Sequence, residues 1–77
     1  MAEYARLTVR DAGELETFDA EVVSESPAWL VALEVDRFGK PRPGQRQSGR
    51  SLRRDAVVGR SGLRLNTMYG SLEEVAS

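Results

Sequence analysis

The chain has 77 residues, lacks cysteine and histidine, and carries eleven basic and twelve acidic side chains for a net charge of −1. A chain of this length forms one small domain, residues 1–77, around a single core. The missing residue types exclude a disulfide scaffold, a zinc finger and any nucleophilic site that depends on cysteine or histidine. We therefore expect a protein that is not an enzyme, that holds no metal or cofactor, and that acts on no small-molecule substrate.

The hydropathy of the chain and the composition of its first ten residues indicate where in the cell we expect the protein. The longest uninterrupted apolar run, residues 28–33, is far shorter than the roughly twenty residues of a transmembrane helix. Residues 1–10 lack the apolar segment of a signal peptide. These features predict a cytoplasmic protein without a membrane partner.

The first two predicted elements are strands. Residues 4–10 alternate, and Ala5, Leu7 and Val9 form an apolar face that we expect to lie in the core. A short turn then separates this strand from a second one over residues 15–24. The two segments predict an antiparallel hairpin.

Residues 29–36 also alternate, which predicts a third strand. A helix over residues 27–38 is the alternative, because Ser26 suits an N-cap and Gly39 suits the residue after a helix end. The period of two is the cleaner pattern, and the β-branched residues favour a strand. The face expected to lie in the core consists of the odd-numbered residues Trp29, Val31, Leu33 and Val35.

The last part of the chain predicts two short strands, residues 55–60 and 63–67, joined by a tight turn at residues 60–62. Residues 71–74 have the spacing of a capping box, which predicts a short C-terminal helical turn, with a longer helix over residues 66–76 as the alternative. The expected fold class is mainly β, a small five-stranded antiparallel curled sheet or an SH3-like or OB-like barrel. A helix over residues 27–38 would instead give an α+β domain.

The charges are strongly polarised along the chain. Residues 1–36 sum to −7, residues 37–54 to +7 and residues 55–77 to −1. Within the basic part, residues 39–52 are rich in Gly, Pro, Gln and Ser, which predicts a basic loop. Arginine binds phosphate oxygens in pairs, so the loop predicts a module that docks on a polyanion, with the nucleic-acid backbone favoured over lipid. The predicted contacts are Arg37, Lys40, Arg42, Arg46, Arg50, Arg53 and Arg54.

The acidic part of the chain supports a second hypothesis. Its central residues form either a solvated strand face or a docking face for a basic partner. The balanced blocks also allow the basic loop to fold back on the acidic surface of its own chain. The alternative function is a protein–protein adaptor, an inhibitor or a self-associating assembly subunit, such as an accessory protein of a virus or mobile element. The acidic residues concerned are Glu14, Glu16, Asp19 and Glu21.

Overall fold

The computed structural model describes residues 2–46 and 48–75, and these residues form six strands and one short 3₁₀ helix. The elements are β1 (Tyr4–Asp11), β2 (Glu14–Glu25), β3 (Trp29–Glu34), β4 (Arg50–Arg53), the 3₁₀ helix (Arg54–Ala56), β5 (Val57–Asn66) and β6 (Ser71–Glu74). The predicted mainly β class is confirmed, with six strands in place of five.

All strands belong to one antiparallel sheet with the order β4-β3-β2-β1-β5-β6. The chain makes a meander from β1 to β4, and β5 then returns to the free side of β1. The Arg54 amide donates to the Ala28 carbonyl at 3.0 Å, and the segment after β3 reaches β6, where the Leu72 amide donates to the Arg37 carbonyl at 2.7 Å. Three strands lie between β3 and β6 in the sheet order, so the second of these bonds indicates that the sheet curls.

Apart from the buried residues Val35 and Leu63, the core forms one cluster on one face of the sheet. Ala5, Leu7 and Val9 of β1 are buried there, as their alternation predicts. In the antiparallel register Leu7 is paired with Phe18 of β2, so the side chains of these two residues lie next to each other on the same face. The remaining members of the cluster are Ala20, Leu30, Ala32 and Leu52, with Val22 and Val57 packed against it.

The predicted third strand is confirmed, and the helix alternative for residues 27–38 is wrong. The predicted core face is wrong over β3 itself, although Val35, directly after the strand, is buried at 2% exposure as predicted. Leu30 and Ala32 are each 1% exposed, whereas Trp29 is 47% exposed. Leu30 stands opposite Leu52 of β4, and Ala32 stands opposite Val22 of β2, so the even-numbered face continues the core. Both faces of this strand are apolar, and alternation alone therefore could not select between them.

Two other local predictions are wrong. The tight turn at residues 60–62 is absent from the described chain, because these residues continue β5 and pair with Ala5, Arg6 and Leu7 of β1. The helical turn at residues 71–74 is instead strand β6, in which Leu72 pairs with Leu65 of β5. In both places cross-strand pairing overrides a local sequence signal.

Strand β4 begins at Arg50, so the last residues of the segment predicted as a loop belong to the sheet. Gly49, directly before it, has φ +91°, and a methyl group there would lie 3.0 Å from Val31 Cγ1 and 3.1 Å from the Ala32 carbonyl oxygen. The chain can approach β3 this closely because glycine has no side chain.

We expect Gly49→Ala to lower the free energy of unfolding by about 1–3 kcal/mol, because it combines a positive φ with a steric clash. Gly62→Ala is the matched control, since a methyl group at Gly62 would meet nothing within 4 Å. Its effect should stay within about 0.5 kcal/mol. Urea unfolding of the two variants measures both values, and equal losses would contradict the close approach at Gly49.

Candidate polyanion-binding loop

In the structure the loop that carries the basic residues starts directly after β3, earlier than the predicted range 39–52, and its residues 35–46 are called the basic loop from here on. They leave the end of β3 as a narrow extension of the sheet. The Arg42 amide donates to the Glu34 carbonyl at 3.0 Å, and the Asp36 amide donates to the Lys40 carbonyl at 2.8 Å. Gly39 closes the turn with φ +80°, a conformation that glycine adopts without strain. Residues 36–40 therefore form a tight turn, here called the loop tip.

Side chains of the loop also hold its backbone. The carboxylate Oδ1 of Asp36 accepts hydrogen bonds from the amides of Lys40 at 3.0 Å and Phe38 at 2.9 Å. These bonds hold the pKa of Asp36 below its ordinary value. The Gln45 side chain accepts from the Glu34 amide at 2.9 Å and donates to the carbonyls of Glu34 and Arg42. The loop thus has a defined shape that its own polar groups maintain.

The loop tip contacts two other strands of the sheet, β1 and β6. A methyl group at Gly39 would lie 3.3 Å from the Tyr4 ring, so the tip packs closely against β1. The hydrogen bond from the Leu72 amide to the Arg37 carbonyl joins the tip to β6. The loop is therefore fixed at both its base and its tip.

The seven predicted phosphate contacts divide into two sets. Four of them lie close to carboxylates: Arg42 Nε is 3.7 Å from Glu34 Oε1, Arg50 Nη1 is 3.6 Å from Glu16 Oε2, Arg53 Nε is 3.5 Å from Asp55 Oδ1, and Arg54 Nη1 is 2.8 Å from Glu25 Oε2. The other three, Arg37, Lys40 and Arg46, are exposed and form no ion pair with any described carboxylate. All three belong to the basic loop.

One arginine of each set also lies over an aromatic ring. The Arg50 guanidinium lies 5.7 Å from the centroid of the Phe18 ring, on the core side of the sheet. The Arg37 guanidinium lies 4.7 Å from the centroid of the Phe38 ring, at the exposed loop tip. Arg42, Arg50, Arg53 and Arg54 thus already lie beside carboxylates of their own chain, whereas Arg37, Lys40 and Arg46 do not pair with any described carboxylate.

The four predicted acidic residues do not share one surface. Successive side chains of a strand point to opposite faces, so Glu14 and Glu16 share the core side of β2, whereas Asp19 and Glu21 lie on the other side. Asp19 Oδ1 is 2.9 Å from Arg6 Nε, and Glu16 pairs with Arg50. Internal neutralisation therefore takes up part of this charge.

Sequence reasoning missed a charged network that spans the core side of the sheet. Glu25 lies between Arg60, with Oε1 to Nη2 at 2.6 Å, and Arg54. Arg60 also contacts Glu3, with Nη2 to Oε2 at 2.7 Å. These residues are far apart in the chain, and the pairing of β1 with β2 and with β5 brings them together. Hydrogen bonds from Arg60 and Arg54 lower the pKa of Glu25 from its ordinary value of 4.5.

This network predicts an acid-sensitive contribution to stability. Because the pKa of Glu25 is lower in the folded than in the unfolded chain, the contribution is present above pH 4.5 and is lost as pH falls through the lowered pKa. We expect Glu25→Gln to lower the melting temperature near neutral pH and to flatten its fall under acid conditions. Thermal unfolding between about pH 6 and about pH 3 tests this. Parallel pH profiles for variant and wild type would contradict the assignment.

Other kinds of site find no support in the described residues. No group of three or more acidic side chains there is arranged to hold a metal ion, and no helix there has the length and apolar character to cross a membrane. Comparison with protein-family models, with curated proteins and with solved structures gives no match.

Proposed function

We propose that this chain is a non-enzymatic binding module that docks on a polyanion, the backbone of a nucleic acid, through its basic loop. The observation that carries the proposal is that Arg37, Lys40 and Arg46 are exposed and without a described ion-pair partner on a loop with a fixed backbone. Arginine presents a planar donor fork that matches phosphate oxygens, and lysine adds a compact positive charge.

The fixed shape of the loop favours binding. Ordering a flexible loop on association costs conformational entropy, and a preformed loop avoids most of this cost. The hydrogen bonds of Asp36 and Gln45 supply that order before any ligand arrives. Cations at defined positions then gain from the release of counterions around the nucleic acid.

The net charge of −1 does not oppose this proposal. At physiological salt the Debye length is about 8 Å, so a phosphate at the loop interacts mainly with charges within about that distance. The carboxylate of Asp36, the nearest acid in sequence, already accepts hydrogen bonds from two backbone amides. Many of the remaining carboxylates lie in ion pairs with arginines of the sheet.

A fluorescence-anisotropy titration with labelled oligonucleotides at several salt concentrations tests the proposal. If three cations each neutralise one phosphate of a duplex, the slope of log affinity against log salt should be about −2.7. Participation of Arg42, whose contact with Glu34 is long at 3.7 Å, would steepen the slope to about −3.6. No binding at low salt would overturn the proposal and favour a protein partner for the loop.

A further inference from the structure

Two exposed aromatic side chains lie at the same edge of the sheet as the loop cations. Phe38 at the loop tip is 44% exposed, and Tyr69 in the turn between β5 and β6 is 74% exposed. The Leu72 amide donates to the carbonyl of Arg37, the residue directly before Phe38. Tyr69 is only three residues from Leu72, so their Cα atoms lie within about 11 Å.

The turn that carries Tyr69 is held as firmly as the loop tip. Asn66 Oδ1 accepts hydrogen bonds from the amides of Met68 at 2.9 Å and Tyr69 at 3.3 Å. The Gly70 amide donates to the Asn66 carbonyl at 2.6 Å, and Gly70 has φ +70°. A defined backbone therefore presents Tyr69 to solvent.

An open cavity of about 430 Å³ lies beside this turn, with Tyr4, Leu63, Leu65 and Thr67 among its lining residues. Its volume is typical of sites for small organic groups. Tyr4 links the cavity to the basic loop, because its ring also packs against Gly39. The edge thus combines an apolar cavity, two exposed aromatic rings and unpaired cations.

We propose that this edge, here called the aromatic edge (Tyr4, Phe38 and Tyr69 with Arg37 and Lys40), binds single-stranded nucleic acid in preference to duplex. The inference rests on the proposed function and names the form of nucleic acid. Bases stack on Phe38 and Tyr69, and Arg37 and Lys40 contact the phosphates between them. Arg64, which also lines the cavity, is engaged with Glu73, with Nε to Oε1 at 3.0 Å, and takes no phosphate.

The chemistry of the ligand decides between the two forms. A duplex buries the faces of its bases in its own stack, whereas a single strand exposes them to aromatic side chains. Stacking on aromatic rings tolerates any base, so little sequence preference is expected. The Arg37 guanidinium over the Phe38 ring places positive charge next to a stacking surface, which suits a base with its attached phosphate.

The test compares labelled dT₁₂, labelled rU₁₂ and a labelled 12-base-pair duplex, each titrated by anisotropy with the full chain at one low salt concentration. The wild type should bind one or both single strands at least about tenfold more tightly than the duplex. The double variant Phe38→Leu/Tyr69→Leu should lose affinity for single strands by at least about fivefold for each ring removed. Its affinity for duplex should not change. Trp29→Leu is the matched control, since Trp29 is an exposed aromatic at the start of β3 beside Arg53, and it should bind as the wild type does.

The outcomes separate this inference from the proposed function. Equal affinity for duplex and single strands, or an unchanged affinity in the double variant, would overturn the aromatic edge and leave polyanion docking in place. Absence of binding to all three probes would overturn both. Circular dichroism of the double variant checks that it is folded. The comparison of single strands with duplex uses the wild type and therefore does not depend on the folding of any variant.

Discussion

Replacing Arg37, Lys40 and Arg46 together by serine is expected to lower the affinity for an oligonucleotide at least about hundredfold at low salt. Each side chain makes a charge-assisted contact with phosphate, and such contacts contribute about 1.5–3 kcal/mol each. The salt slope should also become less negative, by about 2.7 for a duplex and by about 2.1 for a single strand, because three counterion-releasing contacts are lost. These exposed residues have no ion-pair partner among the described residues, so the variant should remain folded.

A variant of equal charge change makes this prediction specific. Replacing Arg50, Arg53 and Arg54 by serine also removes three positive charges, but these residues already contact Glu16, Asp55 and Glu25. We expect this variant to lose less than about tenfold in affinity, because its arginines lie outside the basic loop and nearby carboxylates offset their charge. If the two variants lose the same affinity, total charge and not the loop determines binding.

Leu7→Ala is expected to cost about 3–5 kcal/mol of unfolding free energy, the largest effect of any single substitution considered. Leu7 is fully buried in the central strand, between Phe18 of β2 and Arg60 of β5 in the register. Truncation removes buried methyl groups and leaves a cavity that strands on both sides keep open. A domain of this size has a total stability of about 4–12 kcal/mol, so the loss is a large fraction of the total and the variant should unfold at a much lower urea concentration.

Urea denaturation followed by the fluorescence of Trp29 measures this loss. Leu15→Ala is the control, because Leu15 is 63% exposed near the turn between β1 and β2 and should cost less than about 1 kcal/mol. A similar small cost for Leu7→Ala would contradict the assignment of the core to this face of the sheet.

The parts of the fold that sequence could predict are those with a clear alternation. β1 shows Ala5, Leu7 and Val9 on one side with polar residues on the other, and the structure buries those three. In β3 apolar residues occupy both sides, so its core face depended on the neighbouring β2 and β4. β4 and β6 have four residues each and mostly polar side chains, which gives no periodic signal.

The candidate site was predictable in its location but not in its composition. The run of basic residues after β3 is visible in the sequence, and so is the Gly/Pro-rich character of the loop. Which arginines are engaged depends on carboxylates such as Glu16 and Glu25 that the curled sheet brings alongside them. Likewise, Tyr69 is remote from Phe38 in the chain, and the hydrogen bond from the Leu72 amide to the Arg37 carbonyl brings its turn toward the loop tip.

The most direct test of the central claim is an NMR titration of the ¹⁵N-labelled chain with an unlabelled oligonucleotide, following every backbone amide. We predict that the largest shift changes fall on residues 37–46, with those of residues 68–72 accompanying them if the aromatic edge binds. The amides around Glu14 and Glu16 should remain in place, because they lie near the turn of the β1–β2 hairpin and carry negative charge. Unchanged spectra at a large excess of oligonucleotide, or changes centred on that hairpin, would contradict the assignment of polyanion binding to the basic loop.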